Sequence, residues 1–398
     1  MLRTLKLVVQ NCLVLILLVV VCEAGASAIR ALFDSSKARQ ADQEMIRPEG
    51  LDPGAFSQFV KEQNGAWRFK WTSYAYWRRV PMSGKYVNVD ANGLRRTWNP
   101  SPLAPRHVRV FVFGGSTMWG TGSRDDYTIA SQLSKTLAKS FGSGVEVVNF
   151  GESGYVQTQE LITLLKEIQR GNVPDLAVFY DGYNDVFSAF QNSQAGLPQN
   201  EQNRVREFNL LQSGPHFYAE WARQSSLFWL VSGAAGHVGW LRRFAPQPKQ
   251  TGAASQADVS SPKLTSDALA VYGANLRMLQ SIAAQYHIRT FYFWQPTVYS
   301  KEQKSPEEKG LANQDPSFAE FYLMAMEQLK DSPFQGISSF HDLTHAFDGR
   351  PERIFIDTMH VSESGNEHIA GLIESNIAGA VSQMAQSPRV AEAAGHAK

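Results

Sequence analysis

Residues 108–120, VRVFVFGGSTMWG, decide the fold class of this chain of 398 residues. Its first six residues are Val and Phe apart from Arg109, which is typical of a central strand buried on both faces of a parallel sheet. Gly114 and Gly115 then permit a sharp turn and let the backbone come close to a substrate. Ser116 follows at the junction between this strand and a helix, where we expect its hydroxyl group to be exposed.

The alternation of strand and helix continues towards the C-terminus. Short apolar runs predict strands, and apolar residues at helical spacing predict helices between them. The predicted strands lie at 108–113, 145–150, 176–180, 290–294 and 353–356, with helical stripes within 129–137, 161–168, 269–282, 318–329 and 367–381. This order implies an α/β fold with a parallel sheet and helices on both faces. Ligands of such sheets bind at the carboxyl ends of the strands.

Candidate functional residues follow four of the predicted strands. Ser116, Gly154 and Asn184 follow the first three strands, and the pair Asp357 and His360 follows the last. Each of them alone is compatible with an ordinary turn. Together they supply a nucleophile, two kinds of donor for an oxyanion, a base and a group that orients the base. These are the roles that acyl transfer requires.

The spacing of Asp357 and His360 favours a catalytic pair. A carboxylate three residues before a histidine can fold back and accept a hydrogen bond from imidazole Nδ1, which leaves Nε2 free to act as a base. His360 and His368 could also be considered as metal ligands. No third ligand has suitable spacing, so we expect no metal.

The N-terminal stretch predicts export from the cytoplasm. Two basic residues precede an apolar run that ends at Cys22, and this pattern targets a chain to the membrane. Ala26-Ser27-Ala28 resembles a cleavage site, whereas Glu23 and Arg30 resemble the flank of uncleaved N-terminal helices in related bacterial proteins. Both outcomes stay open: a single N-terminal pass through the bacterial inner membrane with a periplasmic domain, or secretion after cleavage.

The chain divides into segments of different composition. They are an N-terminal signal anchor or signal peptide (1–29), a polar tether (30–66), a main domain (67–385) and a disordered tail (386–398). Within the main domain we expect an aromatic-rich preamble (67–107) and a helical insertion (187–264) that contains a mobile loop (246–262). The aromatic residues of the preamble and insertion could contact substrate, or could pack only on the protein's own surface.

Charge and cysteine content exclude several classes of function. The formal net charge of +1 provides no overall basic field for nucleic acid. The 2 cysteines, Cys12 and Cys22, both lie in the N-terminal apolar stretch, so thiolate catalysis and cysteine-ligated zinc are not expected in the main domain. Composition leaves the oligomeric state open.

At these positions the chain resembles the SGNH (GDSL-like) hydrolase superfamily, and the resemblance covers roughly residues 88–382. The segments that carry it are Gly114-Gly115-Ser116, Gly154, Gly182-Tyr183-Asn184-Asp185 and Asp357-Thr358-Met359-His360, preceded by Asn92-Gly93-Leu94-Arg95. One departure is that Gly115 replaces the aspartate that usually precedes the nucleophile. The Gly-Gly-Ser version looks like that of membrane-associated bacterial members.

The resemblance implies a flavodoxin-like three-layer α/β/α fold and hydrolysis of esters without a cofactor. Carried over to this chain, Ser116 is the nucleophile, and His360, oriented by Asp357, is the base. The backbone N–H groups of Ser116 and Gly154 and the amide of Asn184 form the oxyanion hole.

Three functions are compatible with these residues. The first is a serine esterase that hydrolyses acyl esters, acetyl esters among them, of a cell-envelope glycan or a small molecule. The second is an O-acyltransferase that uses the same triad to acylate an exported polysaccharide. The third is a catalytically idle envelope protein that binds glycan or acts as a scaffold. Exclusion of water and placement of an acceptor distinguish the first two, and the sequence determines neither.

Overall fold

A computed structural model describes residues 2–212, 225–228, 230 and 261–386. The chain divides into two compact units. The smaller comprises Met1–Met45 and Glu201–Ala253, and the larger comprises Ile46–Asn200 and Ala254–Lys398. All five candidate site residues belong to the larger unit.

The regular elements of the described residues are named here in chain order. The strands are β1 (Phe69–Thr72), β2 (Tyr76–Arg79), β3 (Val108–Gly114), β4 (Val145–Asn149), β5 (Leu176–Asp181), β6 (Arg289–Trp294) and β7 (Phe340–Asp342). The helices are α1 (Leu2–Glu44), α2 (Pro53–Gly65), α3 (Ser116–Trp119), α4 (Ile129–Phe141), α5 (Gln157–Gln169), α6 (Tyr183–Asn192), α7 (Glu201–Gln212), α8 (Pro262–Gln285), α9 (Pro306–Ala312), α10 (Pro316–Lys330) and α11 (Glu363–Gln386).

The main sheet is parallel, with the strand order β4-β3-β5-β6-β7. The first strand of this sheet along the chain therefore lies second in space, which is the flavodoxin-like order of a doubly wound fold. All six residues of β5 are buried, as a central strand covered on both faces requires. The predicted α/β class and the first four predicted strands are confirmed.

Helices cover both faces of the sheet and make three layers. On one face α4 packs against α11, and on the other α8 packs against α5, α6 and α10. Right-handed crossovers that run in opposite directions along the sheet place α4 and α5 on opposite faces. The chain adds β4 on one side of β3 and β5 on the other side. A ligand crevice is expected at the carboxyl ends of β3 and β5, where this change of direction occurs.

The last strand differs from the prediction. The fifth strand of the sheet is β7, whereas residues 353–356 form no strand and contribute only an isolated bridge between Phe355 and Val361. A carboxylate oxygen of Glu308 accepts hydrogen bonds from the backbone N–H groups of Ile354 and Phe355, at 2.9 and 3.0 Å. These donors are therefore engaged by a side chain and not by a neighbouring strand.

The preamble forms the antiparallel hairpin β1–β2, as its short-strand pattern indicates. The segment before it, predicted as a tether over 30–66, is largely helical in the structure. Asp52 caps α2, Pro53 begins it, and Phe59 and Val60 are buried within the larger unit. Helix α2 is therefore part of the folded domain.

The smaller unit contains α1 and α7. Within α1, Leu13–Leu32 is a 20-residue segment of mean hydropathy 2.2, long and apolar enough to cross a membrane. The side chain of Glu23 accepts hydrogen bonds from the backbone N–H groups of Ser226 and Leu227. Of the predicted insertion over 187–264, residues 187–192 belong to α6 and 262–264 to α8. The predicted mobile loop up to residue 260, and the tail beyond Gln386, lie outside the described residues.

Candidate active site

Ser116 is the first residue of the four-residue helix α3, directly after β3, and it is 4% exposed, so the residue is buried and not exposed as we expected from the sequence. Gly115 is its N-cap, and a Cβ atom at that position would lie 2.2 Å from Nδ2 of Asn184. A larger residue, such as the aspartate expected from the resemblance, would require Asn184 to move. The structure thus gives a steric reason for the Gly-Gly-Ser version: glycine lets the turn before the serine touch the asparagine amide.

At this turn Ser116 meets two side chains that are distant from it in the sequence. Nε2 of His360 lies 2.7 Å from Oγ of Ser116, and Nδ1 lies 2.5 Å from Oδ2 of Asp357. Both distances are those of short hydrogen bonds. The structure therefore brings the predicted nucleophile, base and orienting carboxylate into one continuous hydrogen-bonded chain.

A tight loop holds the carboxylate in place. Oδ1 of Asp357 accepts the backbone N–H groups of Met359 and His360 at 2.9 and 2.8 Å, which leaves Oδ2 for the imidazole. The loop is closed by a hydrogen bond from Ile356 N–H to the carbonyl oxygen of His360, at 2.8 Å. The two carboxylate oxygens thus have separate tasks, one fixing the loop and the other fixing the ring.

The electrostatics of Asp357 suit its position. Burial raises the pKa of its carboxyl group, but the adjacent His360 and the hydrogen bonds from the loop outweigh burial and hold the pKa below its ordinary value of 3.8. The group is therefore ionised at neutral pH. In that state it can stabilise a protonated imidazole.

The predicted oxyanion donors lie at the ends of β4 and β5. Gly154 has a φ of +73°, and its N–H donates to no acceptor among the described residues. Nδ2 of Asn184 donates to the carbonyl oxygen of Tyr155 at 2.8 Å. This bond uses one of the two amide hydrogens and leaves the other available for a substrate oxygen.

Sequence reasoning missed Gln199, which touches both donors. Its Nε2 donates to Oδ1 of Asn184 at 3.1 Å. Its Oε1 lies 2.9 Å from the place where a Cβ atom of Gly154 would be. Because Gln199 lies between α6 and α7 in no recognisable motif, nothing in the sequence could have singled it out.

Solved structures similar to this chain are hydrolases by description. They include LAE5, an alpha/beta hydrolase enzyme from the metagenome of Lake Arreo, Spain (11% identity, 71% of this chain and 97% of that chain, TM-score 0.36). An acetyl xylan esterase, AlAXEase, is 12% identical over 68% of this chain and 100% of its own, with a TM-score of 0.35. A GDSL-like lipase from Bacteroides thetaiotaomicron is 12% identical over 68% and 88%, with a TM-score of 0.32.

No protein-family model and no curated protein matches the chain. At TM-scores below 0.5, the structural similarities establish neither an activity nor a substrate for this protein.

The end of α3 is held by the preamble. The ring of Trp119, fully buried, has the guanidinium of Arg79 3.9 Å and that of Arg95 4.3 Å from its centroid. Arg79 pairs with Glu152 at 3.2 Å, and Arg95 pairs with Asp125 at 2.6 Å. Burial lowers the pKa of Arg79 to about 10, so it remains charged at neutral pH. Cation–π contacts of desolvated pairs contribute about 2 kcal/mol each, and they fix α3 three residues after Ser116.

Three buried carboxyl groups lie together next to Asn184. They are Glu160 on α5, Asp181 at the end of β5 and Asp185 on α6. Oδ1 of Asp181 accepts a hydrogen bond of 2.6 Å from the hydroxyl of Tyr272. Burial raises the pKa of Asp181 to about 7. Burial, together with the charge of Asp181, raises the pKa of Glu160 and Asp185 well above their ordinary values.

This cluster predicts that the fold loses stability as pH rises. Because the folded pKa of Asp181 exceeds its ordinary value of 3.8, its contribution is complete below about pH 4 and is lost as pH rises through about 7, by up to about 1.4 kcal/mol per pH unit while one group titrates. Asp181→Asn removes the titration and keeps an acceptor for Tyr272. We expect the free energy of unfolding, measured with urea, to fall less between pH 5 and 8 for this variant than for the unmodified protein.

Asp331→Asn is the matched control, because that aspartate is exposed, and its pH profile should follow the unmodified protein. Equal loss of unfolding free energy in the Asp181 variant would contradict the protonation of the buried cluster.

Proposed function

We propose that this protein is a serine esterase of the SGNH type, in which Ser116 attacks the carbonyl carbon of an acyl ester. The observation that carries this proposal is the continuous chain from Asp357 through His360 to Ser116, with spacings of 2.5 and 2.7 Å. A serine hydroxyl is a weak nucleophile until a positioned base removes its proton. Here the base lies at hydrogen-bond distance, and its other nitrogen faces an ionised carboxylate.

The reaction then proceeds in two steps. As the bond from Oγ to the carbonyl carbon forms, the hydroxyl proton of Ser116 passes to Nε2 of His360 and the carbonyl oxygen becomes an oxyanion. When the tetrahedral intermediate collapses, the bond to the alcohol breaks and His360 gives its proton to the leaving oxygen. A water molecule, deprotonated by His360, then attacks the carbonyl carbon of the acyl-serine and forms a second tetrahedral intermediate. When this intermediate collapses, the acid is released and His360 returns the proton to Oγ of Ser116.

Three donors are assigned to the oxyanion: the N–H groups of Ser116 and Gly154 and the free amide hydrogen of Asn184. Ser116 N–H is the first of α3 and has no acceptor within that helix. The contact of Gly115 with the Asn184 amide supports a common location for this donor and the nucleophile. Donors fixed before the reaction stabilise the developing charge without reorganisation.

The proposed substrate is an acyl ester, acetyl esters included, of a cell-envelope glycan or a small molecule. The apolar segment Leu13–Leu32 supports attachment to the inner membrane, with the larger unit in the periplasm, or export with later cleavage. An acyl group released at a membrane face could be passed to water or to a polysaccharide hydroxyl.

The test of hydrolysis against transfer uses an acetylated oligosaccharide and an unacetylated acceptor of distinguishable mass. We expect free acetate to account for most of the acetyl groups lost and a mass increase of 42 Da on Ser116 during turnover, about the mass of one acetyl group replacing hydrogen. Predominant appearance of acetylated acceptor would instead assign an O-acyltransferase. No acetyl loss and no reaction of Ser116 with a fluorophosphonate would reject both and leave the idle scaffold.

Gln199 provides a test of the oxyanion assignment. In Gln199→Glu the ionised side chain can no longer donate to Oδ1 of Asn184, so the amide loses one of the two hydrogen bonds that orient it and keeps the bond to the carbonyl oxygen of Tyr155. We expect kcat for an aryl ester to fall about fivefold, as loss of one hydrogen bond of roughly 1 kcal/mol implies, with little change in KM. Asn184→Ala removes the donor itself and should cost about 10²–10³ in kcat.

The double variant decides whether the two residues act together. If Gln199 works only by orienting Asn184, Gln199→Glu combined with Asn184→Ala should be no slower than Asn184→Ala alone. A further loss of about fivefold in the double variant would show an independent role of Gln199. Gln335→Ala, at a glutamine whose Nε2 bonds the carbonyl of Leu329 elsewhere, should keep the unmodified rate.

A further inference from the structure

A cleft of about 550 Å³ lies beside the hairpin β1–β2. Its walls are formed by the hairpin, by residues around Asn92, by β4 and by one side of α5, and Tyr155 also lines it. Four cationic side chains, Lys70, Arg78, Lys166 and Arg170, line this cleft against a single carboxylate, Glu167. The volume is in the usual range of ligand sites.

The cations are arranged as two like-charged pairs. Lys70 and Arg78 are directly opposite each other across the two strands of the hairpin. Lys166 and Arg170 are four residues apart on α5, which places them on the same side of the helix. Like charges in either arrangement repel and destabilise the element that carries them. Two such pairs around one cleft indicate a site whose charge an anion would balance.

None of Lys70, Arg78 and Lys166 forms an ion pair with a carboxylate among the described residues. Among the described residues, Lys70 and Lys166 donate to the carbonyl oxygens of Ala91 and Ser73, at 3.4 and 2.9 Å. Arg78 donates to the carbonyl of Phe150 at 3.0 Å. The charge of Arg78 lowers the pKa of Glu152, although the ion pair of that carboxylate is with Arg79. Arg170 alone of the four has an ion pair, with Glu167 at 2.7 Å.

The pKa of Lys166 agrees with this crowding. Burial and the charges of Arg170 and Arg78 lower this pKa, and the carboxylate of Glu167 opposes them only in part. A bound anion would oppose the effect of both arginines.

The same hairpin reaches the candidate active site through Trp77. Trp77, opposite Trp71 across the strands, packs edge-on against Tyr155 at 5.7 Å and donates from Nε1 to the carbonyl oxygen of Ser153 at 2.8 Å. Its ring also lies 3.5 Å from the place where a Cβ atom of Gly154 would be. The hairpin therefore joins the cationic cleft to the loop that carries an oxyanion donor.

We propose that the cleft between the hairpin and α5 binds the anionic sugar units of an acidic glycan. The cationic side chains recognise the carboxylates of the sugars. This assignment rests on the proposed function, because it names the substrate class of the esterase. Tyr155 lines the cleft and follows Gly154 directly in the chain, so a glycan bound in the cleft would extend towards the loop that carries this oxyanion donor.

A concave site favours a glycan over a lipid surface. The four cations line a recess between two elements, so a sugar chain can contact both walls. A bilayer needs cations on one outward-facing surface.

Binding is tested with the full-length Ser116→Ala protein, so that no turnover occurs. Calorimetric titration at low salt compares an oligogalacturonate, which carries a carboxylate on each sugar, with a neutral xylo-oligosaccharide of equal length. We expect the acidic chain to bind and the neutral chain to bind at least about tenfold more weakly. Lys70→Gln combined with Lys166→Gln should raise the Kd for the acidic chain about tenfold. Lys139→Gln combined with Lys309→Gln removes two exposed lysines elsewhere and should leave the Kd unchanged.

Three results would overturn the assignment: equal binding of the neutral chain, equal weakening by the two double variants, or binding of phosphatidylglycerol vesicles in place of the oligosaccharide. The last would assign the cleft to a lipid surface. Failure of the proposed esterase activity can be distinguished from failure of the glycan assignment. Selective oligogalacturonate binding with no ester hydrolysis by the unmodified protein would reject the chemistry, whereas aryl-ester hydrolysis without oligogalacturonate binding would reject only the glycan.

Discussion

Replacing Ser116 with alanine is expected to abolish hydrolysis of a short-chain aryl ester, lowering kcat by about 10⁴- to 10⁶-fold. Alanine fits the first position of α3 and removes only the hydroxyl that bonds His360 at 2.7 Å. The fold should therefore be preserved, and a small residual rate should remain from the oxyanion donors. The measurement is initial rate at saturating ester, together with the circular dichroism spectrum.

Ser140→Ala is the control for this substitution, because Ser140 is exposed in the last turn of α4. It should react with a fluorophosphonate as the unmodified protein does, whereas Ser116→Ala should not. A rate within tenfold of the unmodified enzyme in Ser116→Ala, or labelling of that variant at another serine, would remove Ser116 from its assigned role.

Asp357→Asn should lower kcat by about 10⁴-fold while leaving the loop intact. Oδ1 accepts two backbone N–H groups, so the asparagine oxygen should take that place and its NH₂ group should face Nδ1 of His360. Nδ1 would then have to accept a hydrogen bond, and the ring proton would move to Nε2. An imidazole protonated at Nε2 cannot take the proton of Ser116. Steady-state kinetics on the aryl ester measure the loss.

A second aspartate–histidine pair at the same spacing offers the control. Oδ2 of Asp348 lies 2.7 Å from Nδ1 of His345, and this histidine is largely exposed. Asp348→Asn should leave kcat within about twofold, since substitutions away from special features rarely have large effects. If Asp357→Asn behaves in the same way, the carboxylate does not set the tautomer of His360.

The sequence predicts the sheet and the candidate triad well because both depend on local patterns. Runs of Val and Phe such as 108–113 have few alternatives to a buried strand, and the ends of parallel strands must meet at one edge. Ser116, Asn184 and the loop from Asp357 to His360 could therefore be placed together before any coordinates. In the structure Ser116, His360 and Asp357 are joined by hydrogen bonds, and the amide of Asn184 lies beside Gly115.

What the sequence does not predict depends on contacts between distant segments. β7 contains only three residues, Phe340–Asp342, of which Phe340 alone is buried, so it lacks a recognisable apolar run. Residues 353–356 have such a run, but Glu308 engages their donors. Gln199 likewise matters only because the chain returns it to Asn184. No local sequence pattern indicates these contacts between distant segments.

The two arginines that enclose Trp119 have a consequence for how the protein can lose activity. They come from a segment that precedes the main sheet, yet they secure α3, the helix that begins with Ser116. If Ser116 is the nucleophile proposed above, heating that detaches this early segment would misplace its hydroxyl group while the sheet is still intact. Activity would then be lost at a lower temperature than the one at which the sheet unfolds. The contacts of the early segment, and not those of the sheet, would limit the temperature at which the protein is active.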